Sequence, residues 1–161
     1  MELTAGDIMV KDFATIHPDA PVSDAVRLIL RWKVRETGYK PFGIMVVDVV
    51  GRLVGMVSMF DILYHLRPPF MNYELQSFSP WKGELDPYLE RFKDLKVQQV
   101  MSSPVMTVHP GDHVMIVIDH MIKGKFRRLP VVQGEKILGM VYLSDVFLSL
   151  CGKWLGADEK K

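Results

Sequence analysis

An internal duplication constrains the fold more strongly than any other feature of the sequence. Residues 127–147 read as two short apolar strands joined by a polar turn, and the second strand runs directly into a helix. The same order of strand, turn, strand and helix occurs 84 to 85 residues earlier, over residues 46–63. Two copies indicate a duplication rather than a solenoid, and each copy alone is too small to bury its apolar strands well. We therefore expect the two copies to pack face to face.

The duplication extends upstream of the strand pair. Residues 15–18 match residues 107–110 at an offset of 92, and apolar residues then recur at helical spacing after each match. In the first copy, the predicted elements are a helical lead-in at 3–9, a strand at 13–16, a helix at 21–30, strands at 43–48 and 53–58, and a helix at 59–66. In the second copy, they are a lead-in at 97–101, a strand at 105–108, a helix at 114–122, strands at 127–132 and 137–142, and a helix from 143.

Capping signals mark two of the predicted helix ends. Asp19 or Ser23 is the expected N-cap of the helix at 21–30, because both side chains can accept a hydrogen bond from a first-turn amide. Gly124 is expected to end the corresponding helix of the second copy, as glycine commonly does.

Segments outside the duplication complete the domain organisation. The chain divides into a first copy at 1–66, an insert at 67–96, a second copy at 97–154 and a flexible tail at 155–161. The insert is richer in aromatic residues than a plain linker, which favours a strap covering one side of the core over a lid or a self-association surface. These aromatic residues are Phe70, Tyr73, Phe78, Trp81, Tyr88 and Phe92. Asp86-Pro87 predicts a cap and first turn for a helix over 88–95.

Composition limits the possible partners and location. The net charge of +1 argues against a general nucleic-acid surface, which needs clustered positive charge. No apolar run approaches the roughly 20 residues that a membrane span requires, and the N-terminus lacks a signal-peptide pattern. The single cysteine, Cys151, suits a reducing compartment. We expect a cytoplasmic protein without a nucleic-acid or membrane partner.

Two acidic helix starts are the candidate site residues. Asp61 and Asp145 each follow a glycine, Gly55 or Gly139, by six residues, at the point where a strand ends and a helix begins. A carboxylate there can accept both hydroxyls of a ribose, while helix amides and nearby arginine or serine groups suit a phosphate. The ordinary alternative is that these residues only cap their helices. Two equivalent occurrences favour ligand binding.

Signals for catalysis and for metal binding are missing from the sequence. It contains no glycine-rich phosphate loop with lysine, no serine elbow and no carboxylate pair placed for acid and base work. The five histidines lack the close spacing of a structural zinc site. We therefore predict that the protein is not an enzyme and holds no metal.

The duplicated unit resembles the cystathionine β-synthase (CBS) domain, and the pair resembles the tandem CBS, or Bateman, module. The resemblance covers nearly all of the chain except the insert and the tail. It implies an α/β (α+β) fold of two β-α-β-β-α repeats that pack through their sheets with pseudo-twofold symmetry. It also implies clefts that bind AMP, ADP, ATP, S-adenosylmethionine or a similar adenosyl ligand, a homodimer, and a regulated effector protein in trans.

The resemblance also implies two ligand clefts, each formed by residues of both repeats. In the first cleft, Asp145 takes the ribose hydroxyls, and Arg128 and Ser144 take the phosphate. Its matching residues are Thr15, Pro41, Phe42, Arg127, Arg128, Tyr142, Ser144 and Asp145. The second cleft matches Phe42, Gly43, Ser58, Asp61, Thr107, Phe126 and Arg127. Phe60 and Gly43 leave the second cleft without the serine and arginine of the first, so the sequence ranks the Asp145 cleft first for a phosphorylated ligand.

Two functions follow from these patterns. The preferred one is a stand-alone regulatory module that binds an adenosine-containing ligand and signals its occupancy to a partner. The alternative is a structural or dimerisation module whose clefts are degenerate, with Tyr142 and the aromatic insert filling them.

Overall fold

The computed structural model describes residues 2–32, 42–67 and 85–155. The helices within these ranges are α1 (Ala5–Ile8), α2 (Val22–Arg31), α3 (Met59–Leu66), α4 (Leu85–Phe92), α5 (Val97–Val100), α6 (Val114–Gly124) and α7 (Leu143–Trp154). The strands are β1 (Thr15–Ile16), β2 (Gly43–Val47), β3 (Leu53–Ser58), β4 (Arg128–Gln133) and β5 (Lys136–Tyr142). This mixture of helices and strands, with the same order in both repeats, confirms the predicted α+β fold class.

Each repeat forms a small sheet. In the first repeat, β1 pairs parallel with β2, which pairs antiparallel with β3. In the second repeat, β4 and β5 form an antiparallel hairpin, and Val108 alone makes a parallel bridge to Val131. The first strands of both repeats are therefore shorter than predicted. Phe13 and Val105, which were assigned to them, pack instead against the residues between the two sheets.

The sheets face each other across a layer of large side chains. Met45, Met56, Met140 and Tyr142 are all buried and contact one another between the sheets. Each of these side chains points away from the helices that pack on its own sheet, because successive strand residues alternate between the two faces of a sheet. The face-to-face packing predicted from the duplication is confirmed.

The lead-in helices are exchanged between the repeats. Ala5 and Ile8 of α1 belong to the buried core of the second repeat, whereas Val97 and Val100 of α5 belong to the core of the first. Neither core is complete without a helix that the other half of the chain supplies. The two repeats therefore form one cooperative unit.

Each exchanged segment also adds hydrogen bonds to the edge of the opposite sheet. Val10 makes two backbone hydrogen bonds with Met140 of β5, at 2.8 and 3.0 Å, and Ser102 makes an equivalent pair with Met56 of β3. These contacts cover sheet edges that would otherwise expose unpaired backbone groups.

Gly139 and Gly55 allow these crossings. A Cβ atom at position 139 would lie 2.6 Å from the carbonyl oxygen of Val10, and one at position 55 would lie 2.5 Å from the sulfur of Met101 and 3.2 Å from the carbonyl oxygen of Ser102. The matched glycines are thus required because another part of the backbone passes directly over them.

The insert supplies the N-terminal cap of α2. Pro21 occupies the N-cap position without a side-chain hydrogen bond, so the prediction of Asp19 or Ser23 was wrong. Instead, the first amides of α2 donate to backbone carbonyls beyond α4: Val22 to Leu95 at 2.6 Å and Ser23 to Lys93 at 3.0 Å. These bonds satisfy groups that a helix start leaves without intrahelical partners.

The described part of the insert packs on the first repeat. Phe92 is buried in the core of that repeat, and Leu95 packs beside it, as a strap requires. Helix α4 begins at Leu85, three residues earlier than predicted, so Asp86 and Pro87 lie inside its first turn. Phe70, Tyr73, Phe78 and Trp81 lie outside the described residues.

Asp48 fixes the turn between β2 and β3. Its carboxylate accepts hydrogen bonds from the backbone amides of Val50 and Arg52, at 3.0 and 2.9 Å, and from the Arg52 guanidinium at 2.9 Å. The backbone amide of Arg52 contributes most to lowering the pKa of Asp48 below its usual value. Gly51, with φ of 86°, provides the left-handed residue of the turn.

Candidate functional site

A reciprocal capping arrangement places Asp61 at the end of β3. The backbone amide and the hydroxyl of Ser58 each donate to Asp61 Oδ2 at 2.8 Å. In return, the backbone amide of Asp61 donates to Ser58 Oγ at 3.2 Å. This is a capping box with aspartate at its third position, and it fixes the carboxylate beside the start of α3. Ser58 and Asp61, two of the residues that the sequence predicted for this cleft, are therefore in direct contact.

Ser102 connects the other repeat to the same carboxylate. Its Oγ donates to Asp61 Oδ1 at 2.7 Å. The neighbouring Ser103 makes a different contact, donating to the carbonyl of Val54 at 3.0 Å. Ser102 was not among the residues predicted from the sequence. The available signal was the 92-residue offset, which pairs Ser102 with the apolar Val10 and so marks a polar difference between the copies.

The second acidic helix start is much more enclosed. Asp145 is 6% exposed, whereas Asp61 is half-buried. Tyr142 occupies the position that Ser58 holds in the first repeat, and its ring is buried between the two sheets. A small cavity beside the Tyr142 ring, which Gly43, Phe13 and Ala14 also help to line, measures about 10 Å³. That volume admits about one water molecule and no nucleotide.

Arg128 extends from the second repeat to the first. A Cβ atom on Gly43 would lie 2.7 to 2.9 Å from the Cδ, Nε and Nη1 atoms of Arg128, so only glycine leaves room for this side chain. Gly43 pairs with Ser58 across β2 and β3, and Arg128 pairs with Tyr142 across β4 and β5. The Arg128 side chain thus lies beside Gly43, the residue that pairs with Ser58 at the end of β3.

Equivalent backbone hydrogen bonds secure the first residue of each helix. The amide of Met59 donates to the carbonyl of Phe42 at 2.9 Å, and the amide of Leu143 donates to the carbonyl of Arg127 at 2.8 Å. Phe42 and Arg127, both predicted site residues, are exposed beside the helix starts. The two sites are therefore built to the same plan and differ in their side chains.

Comparison with known proteins identifies the duplicated unit. The family model of the CBS domain matches residues 5–68 and 97–152, which together make up most of the chain. The chain belongs to the CBS-domain family. Its two repeats are accordingly CBS repeats, and the pair is a tandem CBS module.

Curated relatives of the chain occur in a plant and in an archaeon. CBSX2, a chloroplastic CBS domain-containing protein of Arabidopsis thaliana, is 26% identical over 153 residues, covering 89% of this chain and 61% of that protein. An uncharacterized protein of Methanocaldococcus jannaschii is 27% identical over 159 residues, covering 89% of both chains. The chain spans only 41% to 61% of the length of three of the curated relatives that it matches.

Solved structures share the fold. The crystal structure of CBSX2 in complex with AMP has a TM-score of 0.66 at 25% identity, covering 92% of this chain and 96% of that chain. A hexameric CBS-CP12 protein from bloom-forming cyanobacteria has a TM-score of 0.66 at 26% identity, covering 91% of this chain and 67% of that one. Nucleotide binding and oligomerisation thus both occur among similar CBS proteins.

The remaining predicted site residues are distributed more widely. Thr15 is exposed on β1 and lines an open groove of about 490 Å³ that also contacts Lys136 and Ile137, at the far end of β5 from Asp145. Ser144 is half-buried in the first turn of α7, and Thr107 is exposed. Pro41 lies outside the described residues.

Phe126 explains why α6 ends at a glycine. A Cβ atom on Gly124 would lie 2.1 Å from the ring of Phe126, so the glycine makes room for this ring. The left-handed residue after the helix is Lys125, with φ of 53°, so Gly124 does not serve the conformational role expected of it. Phe126 is half-buried as a result.

The described ranges contain no group of three or more histidine, cysteine, aspartate or glutamate side chains that could hold a metal ion. None of the helices in those ranges combines the length and the apolar character needed to cross a bilayer.

Proposed function

We propose that this tandem CBS module binds an adenosine-containing ligand such as AMP, ATP or S-adenosylmethionine and signals occupancy to an effector protein in trans. The observation that carries the proposal is the half-buried Asp61 carboxylate, held at a helix start with Arg128 crossing from the other repeat. The AMP complex of CBSX2 supports the choice of ligand class, since that protein shares the fold over 92% of this chain.

The chemistry of the site suits a nucleotide. The carboxylate accepts hydroxyl hydrogen bonds from a ribose, and a guanidinium is the preferred side chain for a phosphate because its planar donors match the phosphate oxygens. The proposed role is regulatory, since this carboxylate and this guanidinium are groups that hold a nucleotide. We propose a cytoplasmic location, because the single cysteine suits a reducing compartment.

The exposure of the two carboxylates favours the Asp61 cleft. A ribose must reach the carboxylate, and Asp61 is accessible whereas Asp145 is 6% exposed. The ring of Tyr142 would have to move before a sugar reached Asp145. We therefore propose that Asp61 binds first, reversing the ranking that the sequence suggested.

Thermal unfolding with added ligand tests the proposal. A ligand at 100 times its Kd stabilises the folded state by about 2.7 kcal/mol, which raises the Tm of a chain of this length by roughly 5 to 10 °C. AMP, ATP and S-adenosylmethionine are added separately to the wild type, Asp61→Asn and Asp145→Asn. We expect Asp61→Asn to abolish the shift and Asp145→Asn to retain most of it. A shift that survives only in Asp61→Asn would restore the sequence-based ranking.

The burial of Asp145 and of the Tyr142 ring favours one alternative function. If the Asp61 cleft is also unable to admit a nucleotide, the pair serves as a structural module, as Tyr142 already suggests for one side. In that case none of the three ligands changes the Tm of the wild type or of either variant.

The exposed faces of α3 and α7 support a homodimer. Phe60 and Leu63 on α3 are 74% and 54% exposed, and Phe147 on α7, at the position matching Leu63, is 62% exposed. Clustered apolar surface of this kind commonly marks a protein interface. Because both repeats present such a face, a second copy of the chain can match it around a twofold axis.

Light scattering after size exclusion tests the dimer. Phe147→Glu is expected to yield a monomer, because it places a charge within the buried interface. Leu30→Glu is the matched control, since Leu30 is 67% exposed on α2. A wild-type protein that is monomeric at every concentration tested would refute the dimer.

A further inference from the structure

The Asp61 carboxylate has little remaining capacity to accept hydrogen bonds. An ionised carboxylate offers about four acceptor positions on its two oxygens. The Ser58 amide and hydroxyl occupy Oδ2, and the Ser102 hydroxyl occupies one position on Oδ1. Counting donors from the described residues, about one position is therefore open, whereas the two hydroxyls of a ribose need two.

Ser102 is the donor that can leave. Ser58 is 8% exposed, and its hydroxyl also accepts from the Asp61 amide, so its release would break the cap of α3. Ser102 is exposed, and water can replace Asp61 as the partner of its hydroxyl. Its backbone bonds to Met56 do not involve the side chain and remain in place.

We infer that Ser102 is a positioning residue that competes with the second sugar hydroxyl for Asp61, so that binding of a vicinal diol releases it. This role depends on the proposed nucleotide function and specifies how that site is regulated. Ser102 belongs to the segment that crosses from the second CBS repeat onto the first, so its release is a direct chemical link between occupancy and inter-repeat contact.

The second helix start lacks this device. Val10, which matches Ser102 in the duplication and bonds to Met140 through its backbone, has no hydroxyl to donate to Asp145. The crossing segments therefore differ: the one from the second repeat supplies a hydroxyl to Asp61, and the one from the first repeat supplies none to Asp145.

Comparing AMP with 2′-deoxy-AMP separates competition from a merely structural role. AMP presents two ribose hydroxyls and must displace Ser102, whereas 2′-deoxy-AMP presents one and uses the open position. Ser102→Ala is therefore expected to tighten AMP binding about three- to tenfold, the effect of one exposed hydrogen bond, and to leave 2′-deoxy-AMP unchanged. The ratio of the affinity for AMP to the affinity for 2′-deoxy-AMP is therefore expected to be higher in Ser102→Ala than in the wild type by the same factor.

Titration calorimetry measures these affinities in an Asp145→Asn background. This substitution removes the carboxylate of the other helix start, so the measured binding reports on the Asp61 cleft. Ser103→Ala is the control, because Ser103 lies on the same segment and bonds to Val54 instead of Asp61. Ser102→Thr retains the hydroxyl and is expected to restore wild-type preference.

The possible results separate the two proposals. If Ser102→Ala leaves the affinity for AMP unchanged or weakens it, the proposed competition is refuted, while the nucleotide function stands. Equal tightening of both ligands also overturns it, because competition acts on the second hydroxyl alone. Absence of AMP binding in the Asp145→Asn protein and in every serine variant refutes nucleotide binding at Asp61, and the role of Ser102 with it.

Discussion

Gly139→Ala tests whether the exchange of segments holds the two CBS repeats together. The added methyl group would lie 2.6 Å from the Val10 carbonyl oxygen and 3.1 to 3.2 Å from atoms of the Met9 side chain. A side chain can rotate away, but the carbonyl belongs to backbone that is bonded to β5. The segment containing Val10 must therefore separate from the strand.

The expected cost follows from the bonds that this separation breaks. Val10 and Met140 share two backbone hydrogen bonds, of 2.8 and 3.0 Å, each contributing about 0.5 to 1.5 kcal/mol net. Loss of both amounts to about 2 kcal/mol, and displacement of the attached helix α1 adds to it. For a chain of this length the Tm should fall by roughly 4 to 8 °C.

Thermal or urea unfolding gives the change in stability, and hydrogen exchange of the Val10 and Met140 amides gives its location. Gly55→Ala is the matched control, because the nearest atom there is the sulfur of the flexible Met101 side chain and the backbone oxygen lies at 3.2 Å. It should cost about half as much. A Gly139→Ala protein that unfolds like the wild type, with both amides still protected, would refute this account of the glycine.

Three further predictions concern single positions. Gly152→Ala, in α7 with no atom within 4 Å of its added methyl group, should stabilise the protein by about 0.5 to 1 kcal/mol, and a lower Tm would contradict this. Asp48 has a lowered folded-state pKa, so its contribution is present above the unfolded pKa of about 3.9 and is lost as the pH falls through the folded value. The Tm difference between wild type and Asp48→Asn should therefore be largest near neutral pH and disappear in acid, and a constant difference would exclude this linkage. Tyr142→Ser should cost roughly 3 to 5 kcal/mol by emptying a buried position, and should create AMP binding that depends on Asp145. Unchanged stability in urea titrations would show that the ring is not part of the core.

The sequence by itself determined the elements of the fold and their order. The strand at 53–58 and the helix at 59–66 have the predicted bounds, because alternating and helical apolar patterns are local properties of the chain. Repetition of the whole pattern then required two similar units with apolar faces to cover. The acidic helix starts were predictable for the same reason, since capping involves residues three positions apart.

Only the tertiary structure decided how the two halves complete each other. The α2 amides bond to carbonyls of Lys93 and Leu95, and Ser102 bonds to Asp61 across 41 positions of sequence. Such contacts have no period and no fixed spacing. The same limit applies to the two carboxylates: local sequence made them alike, whereas the tertiary packing left Asp145 buried and left Asp61 more accessible and bonded to a serine.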